Sequence, residues 1–152
     1  MKNRTLALIY KGLIAIVTVA SCGLAAAQMT PVGSWYSIDD KTGEIKSLVV
    51  ITEKDGVLTG RIDKLLRKNA DQNAICKECT DDRKDQRTLG MEIIRGVKKA
   101  EGKDVWEDGK ILDPENGKSY TLRLTPIEDG KKLEVRGSVL FISRTQTWLR
   151  VQ

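Results

Sequence analysis

Short β-branched and apolar runs, broken by turn residues at intervals of roughly ten, constrain this chain more than any other feature, because that spacing belongs to sandwiches and barrels. The runs are Gly33–Ile38, Ser47–Glu53, Leu58–Leu66, Met91–Lys98, Asp104–Trp106, Lys110–Leu112, Ser119–Pro126, Lys132–Val139 and Gln146–Val151. Asp55-Gly56, Asn116-Gly117 and Asp129-Gly130 each lie between two of them and supply residue pairs tolerant of positive φ, as tight hairpins demand. Hairpins joined in this way make sequential antiparallel neighbours, and closing the meander removes its exposed edges. The expected fold is therefore all-β, a small antiparallel up-and-down barrel of about eight strands, with a partly open sandwich as the alternative. No run reads as a long helix.

Between the third and fourth runs the pattern fails. Arg67 to Arg87 is polar, without apolar periodicity, and carries Cys76 and Cys79 at its centre. A loop longer than about 12 to 15 residues inside a compact domain is usually functional or disordered, and a local disulfide would restrain this one.

The N-terminus has the order of a secretory signal: basic Lys2, Arg4 and Lys11, an apolar run from Gly12 to Ala27, then small residues. The run falls short of the roughly 20 apolar residues of a membrane helix, so residues 1–27 are expected to be removed as a signal peptide. Residues 28–152 then form a single barrel domain with no transmembrane segment. Ala25-Ala26-Ala27 suits a cut that releases a soluble periplasmic protein, whereas Val19-Ala20-Ser21-Cys22 resembles a lipobox and would anchor a lipoprotein through Cys22. Of the 152 residues, removal of 1–27 leaves 125, enough for one domain and too few for two.

Charge narrows the partners. Three of the 26 basic residues lie in the signal, which leaves 23 against 21 acidic ones, interleaved rather than gathered in a stripe, so nucleic-acid binding is not expected. There is no histidine, which removes the commonest general base and metal ligand. Cys76 and Cys79 admit three readings: a disulfide, favoured in an oxidising compartment, a redox pair, or half of a metal site. The carboxylates Asp39-Asp40, Asp81-Asp82 and Asp113/Glu115 fall in turn-like segments, where Asx-turn chemistry accounts for them. No catalytic residue, metal or cofactor is expected, and the chain reads as a non-enzyme.

Two constellations could bind something. Gly33-x-Trp35 opens the first strand, and Arg144 and Arg150 bracket Trp148 in the last. Barrel closure would bring these strands together. The arrangement resembles that of lipocalins, in which an indole plugs the closed end beneath a basic side chain, a cation–π contact of about 0.5 to 2 kcal/mol. In the last strand Arg144, Gln146, Trp148 and Arg150 share one parity. Facing inward they would line a cavity suited to an anionic head group; facing outward they are a solvated strand face with one exposed Trp.

Taken together, Gly33-Ser34-Trp35, Asp39-Asp40-Lys41-Thr42-Gly43, Cys76-x-x-Cys79 with Asp82-Arg83, Gly90-Met91-Glu92-Ile93, Ile111 to Lys118, Val135-Arg136-Gly137 and Arg144-Thr145-Gln146-Thr147-Trp148 resemble the exported bacterial proteins grouped as domain of unknown function 2147. That resemblance implies a lipocalin-like β-barrel in the cell envelope and assigns no catalytic residue. The chain departs from the family at Thr80-Asp81, where a Pro or Gly is usual. The first functional expectation is a periplasmic barrel that binds a small amphipathic ligand, with Trp35, Arg144, Gln146 and Trp148 as the lining. The alternative is a protein-interaction or envelope-maintenance module with a filled barrel, no ligand and an envelope protein as partner.

Overall fold

The computed structural model describes residues 29–152, and the expected signal segment, with Cys22, lies outside the described residues. Eight strands follow in chain order: β1 (Gly33–Ile38), β2 (Ile45–Lys54), β3 (Val57–Leu65), β4 (Glu92–Lys99), β5 (Trp106–Asp113), β6 (Lys118–Ile127), β7 (Lys132–Val139) and β8 (Ile142–Arg150). Each pairs antiparallel with its sequence neighbour, and β8 returns to β1, so the sheet is a closed barrel. The closing seam is short. Trp35 faces Arg150 and Tyr36 faces Leu149, and the Val151 amide extends the seam by donating to Ser34 O at 2.9 Å.

Alternation places the core inside. In β2 the buried residues are Ser47, Val49 and Ile51, in β6 they are Leu122, Leu124 and Pro126, and the residues between them face outward, as a period of two requires. An up-and-down order also sorts the connections to two ends. At one end lie the start of β1, the β2–β3, β4–β5 and β6–β7 turns, and the end of β8. At the other lie the β1–β2 turn, the long β3–β4 connection, and the β5–β6 and β7–β8 turns. The first end is filled: Trp35, Ile51, Leu58, Val97, Trp106 and Leu133 are all buried.

Three sequence expectations need correction. Asp104–Trp106 and Lys110–Leu112 are not separate strands but one, β5, because Asp108 takes φ 67° and the pairing with β6 shifts between Trp106 and Gly109, a bulge that the sequence imitates as a turn. Asp55-Gly56 is a two-residue turn, but Asn116-Gly117 and Asp129-Gly130 each belong to a four-residue connection, closed by Asp113↔Lys118 and Ile127↔Lys132. The last strand starts at Ile142 rather than Gln146, because β7 and β8 join through a two-residue turn, Leu140-Phe141, that carries no Gly, Asn or Asp to announce it.

Candidate functional site

At the second end the barrel is open, and a cavity of about 320 Å³ descends between the strands. Its floor is apolar, with Val49, Ile62, Ile93, Leu112, Val135 and Trp148. Its upper wall is polar, with Ser37 and Ser47 on adjacent strands, Lys46, Tyr120, Arg144 and Gln146. The two serine hydroxyls are buried and sit 2.7 Å apart, so they satisfy each other. Such a gradient, apolar at depth and polar at the rim, is the general form of a site for a small amphipathic molecule, and the volume lies near the low end of the usual range.

The single-parity face of β8 points inward. Ile142, Arg144, Gln146 and Trp148 all line the cavity, and the last three are tied into one chain. Trp148 Nε1 donates to Gln146 Oε1 at 3.2 Å, and Gln146 Nε2 donates to Asp40 Oδ2 at 2.9 Å. Arg144 forms an ion pair with the same Asp40 oxygen. The Arg144 side chain lies at the solvated rim, and the β1–β2 turn supplies its counter-charge in a pair of the exposed kind. Parity alone gives no sign of Asp40, because its pairing depends on a turn folding over the rim from the far end of the chain.

Trp35 and Arg150, by contrast, do not reach the cavity. Trp35 is fully buried at the filled end, donates from Nε1 to Pro31 O at 2.7 Å, and carries the Arg150 guanidinium 4.1 Å above its ring. Arg150 also donates to the carbonyls of Val32 at 2.9 Å and Thr30 at 2.6 Å, and to that of Gly130, so it laces the segment before β1 and the β6–β7 turn onto the plug. Burial lowers the Arg150 pKa from its ordinary value. Gly33 is part of the same device, because a Cβ there would lie 2.6 Å from Arg150 Nη1. Trp35, expected among the lining residues, is therefore a plug: β1 starts at the filled end, and the third position of that strand cannot reach the open one.

The β3–β4 connection lies at the open end without lining the cavity, and it is held in place by its own contacts despite its polar composition. Cys76 and Cys79 are joined in a disulfide and buried. Backbone bonds from the Cys76 amide to Gln86 O at 2.9 Å, from Asp85 to Cys76 O at 3.0 Å and from Thr88 to Ala74 O at 2.8 Å fold the segment back on itself. Arg83, buried, donates to Glu92 O at 3.0 Å, and Arg95 clasps both oxygens of Asp82 at 2.8 and 2.9 Å. The disulfide ring rests on the β5–β6 turn, with Cys76 Sγ 3.3 Å from Pro114 O and the Glu78 carbonyl against Gly117.

Electrostatics pin the rim. The Asp39 carboxyl is held at about 2 by the backbone amides of Lys41 and Thr42, with Arg67 adding to them. Arg67 in turn spans from Asp39 to Glu115, which also meets Lys46 at 3.0 Å. Asp81 is likewise held at about 2, by the Arg83 side chain and then its amide. Burial pushes the Glu115 carboxyl up, but Lys46 and Arg67 outweigh it and leave the group below its ordinary value. The acidic clusters are thus turn and tethering groups. Ser37, Lys46 and Ser47 were not singled out from the sequence, and Asp40 was read only as a turn carboxylate; the strand parity of Trp35 would have brought in Ser37, two residues on, but the other three depend on register.

The fold has a counterpart among solved structures. Protein HP1028 from Helicobacter pylori, described as belonging to the lipocalin family, superposes with a TM-score of 0.68 at 18% identity, over 80% of this chain and 82% of that one. At that identity the likeness is one of fold alone. No curated protein matches the sequence. The motifs that frame the plug, the disulfide loop and the inward face of β8 all lie within residues 33–150, the span matched by the family described as "Uncharacterized protein conserved in bacteria (DUF2147)", and the chain belongs to that family.

Proposed function

We propose that this protein is a binding module of the bacterial cell envelope, reached by export, that holds a small amphipathic anion such as a fatty acid and performs no catalytic step of its own. The observation that carries the reading is the open cavity of about 320 Å³ with an apolar floor and Arg144, Gln146 and Lys46 in its upper wall. An acyl chain or ring would occupy the floor beside Trp148. The anionic end would meet Arg144, taking the place of Asp40 as its counter-charge, and the Ser37 and Ser47 hydroxyls could turn to it as donors. The lipocalin-like fold is compatible with such a role.

Titration of the delipidated, folded protein with fatty acids of increasing chain length, read by tryptophan fluorescence, tests the reading. Saturable binding is expected, because Trp148 forms part of the wall. Arg144→Gln should weaken binding by up to about fivefold, since an ion pair at an exposed rim contributes roughly 0.2 to 1 kcal/mol. Asp40→Asn should strengthen it, by releasing Arg144 from its internal partner. Absence of any saturable change would overturn the proposal in favour of an interaction module without a ligand.

A further inference from the structure

The turn between β7 and β8 exposes apolar surface where a hairpin tip ordinarily carries polar residues. Val139, Leu140, Phe141 and Ile142 are 46%, 92%, 102% and 74% exposed, whereas every other exposed large apolar side chain among the described residues stands at 41% or less. The backbone makes the choice stranger. Leu140 takes φ 51°, in the left-handed region, at a position that the other two-residue turn of the barrel gives to Asp55-Gly56. A polar pair would have closed this hairpin with less strain and better solvation. Strain combined with exposed apolar surface at a loop tip points to a use for the tip.

Three observations identify what covers it. Arg136 and Arg144 flank the four residues on opposite arms of the hairpin, with Gly137 facing Arg144 and Arg136 facing Thr145; the hairpin itself carries no acidic residue from Arg136 to Gln152, and Arg144 takes its partner, Asp40, from the β1–β2 turn. At about 3.3 Å per residue Arg144 sits roughly 10 Å behind Phe141 and Arg136, opposite Thr145, roughly 13 Å, which leaves room for an apolar element sunk about 5 to 10 Å into a bilayer with cations at the head groups. The patch is also small. Four side chains offer a few hundred Å², well below the ~800 Å² that each partner gives to a stable protein interface. Lastly, Val139 and Ile142 also line the cavity, so the apolar tip borders its mouth.

We propose that the Leu140-Phe141 turn docks the open end of the barrel on an anionic lipid surface, with Phe141 and Leu140 among the acyl chains and the outward Arg136 at the phosphates, while Arg144 stays paired with Asp40 at the cavity rim. Docked in this way, the mouth of the cavity faces the lipid and the filled, Trp35-plugged end points away from it. This placement does not depend on the cavity holding a fatty acid, and the two can fail separately: ligand titration in solution addresses one and vesicle contact the other.

The experiment is done with the full chain carrying Phe141→Trp and vesicles of mixed phosphatidylcholine and phosphatidylglycerol whose acyl chains bear bromine. The three native tryptophans are buried and residues 1–27 contain none, so the new indole at the tip dominates the response to solvent and lipid. Its emission should move to the blue and be quenched by the brominated chains, with a weaker effect on phosphatidylcholine alone. Lys54→Trp, at an exposed site beside the Asp55-Gly56 turn at the opposite end, should show neither change. Unchanged emission from the Phe141→Trp protein would overturn the proposal and leave the tip as a contact for another protein. Equal quenching of the Phe141→Trp and Lys54→Trp proteins would overturn the end-on orientation.

Discussion

Gly117→Ala isolates the contact between the disulfide loop and the barrel. Gly117 has φ 68°, and an added Cβ would lie 1.9 Å from the Glu78 carbonyl oxygen, 2.2 Å from its carbon and 2.7 Å from the Cys79 nitrogen. All three are backbone atoms within a ring closed by the Cys76–Cys79 bond, so they cannot rotate aside and the loop must retreat. Gly56→Ala is the matched control, with φ 75° and nothing within 4 Å of its Cβ. The control carries only the left-handed penalty of about 1 to 2 kcal/mol, partly offset by a stiffer unfolded chain. Gly117→Ala adds an overpacking term of about 1 to 3 kcal/mol, for a total of roughly 2 to 4 kcal/mol. Urea melts read the difference. With a slope of about 1 to 3 kcal/mol per molar, the two midpoints should separate by roughly 1 M. In a Cys76→Ser/Cys79→Ser background the separation should shrink, since the opened loop can move away. Equal midpoint shifts for the two alanine variants in the disulfide-bonded protein would refute the packing of the loop on the β5–β6 turn.

Three other outcomes are expected. Trp35→Ala should destabilise the domain by about 3 to 5 kcal/mol, as truncation of a buried aromatic does, and an unmoved chemical midpoint would contradict its role as plug. Protein denatured without reductant should show no free thiol from Cys76 or Cys79, and the double serine variant should still fold, about 2 kcal/mol less stable, because the ring closed by the bond is short. Asp39 and Asp81 are held at about 2 in the folded protein, below the value near 4 of an unfolded chain, so their contribution is present above about pH 4 and is lost as pH falls toward 2. A urea midpoint that is flat across that window, or a decline that Asp39→Asn and Asp81→Asn leave unaltered, would contradict the assignment.

The local pattern in the sequence determined a great deal. Period-two alternation and turn residues every ten or so positions are properties of neighbouring residues, and they dictate short antiparallel strands in chain order whatever lies across the sheet. The Gly33-x-Trp35 plug is what the resemblance to lipocalins implied, whereas the common face of Arg144, Gln146 and Trp148 follows from the same periodicity. It also misled where a bulge imitated a turn, at Asp108-Gly109, and where a turn had no turn residues, at Leu140-Phe141. What the tertiary structure alone decided is which way each face points and what meets it. A strand's parity is fixed by its sequence, but its sign is fixed by register, and a slip of one residue reverses it. The Trp35↔Arg150 seam sends Arg150 to the filled end and Arg144 to the open one, although both belong to one strand and one parity. Asp40 reaches Arg144 across 104 positions of chain, and Glu78 reaches Gly117 across 39, only because the barrel closes. Contacts of that kind carry no local signal: they exist because loops from distant parts of the chain share one end of a cylinder, and the geometry of closure, not the composition of either segment, sets the partners.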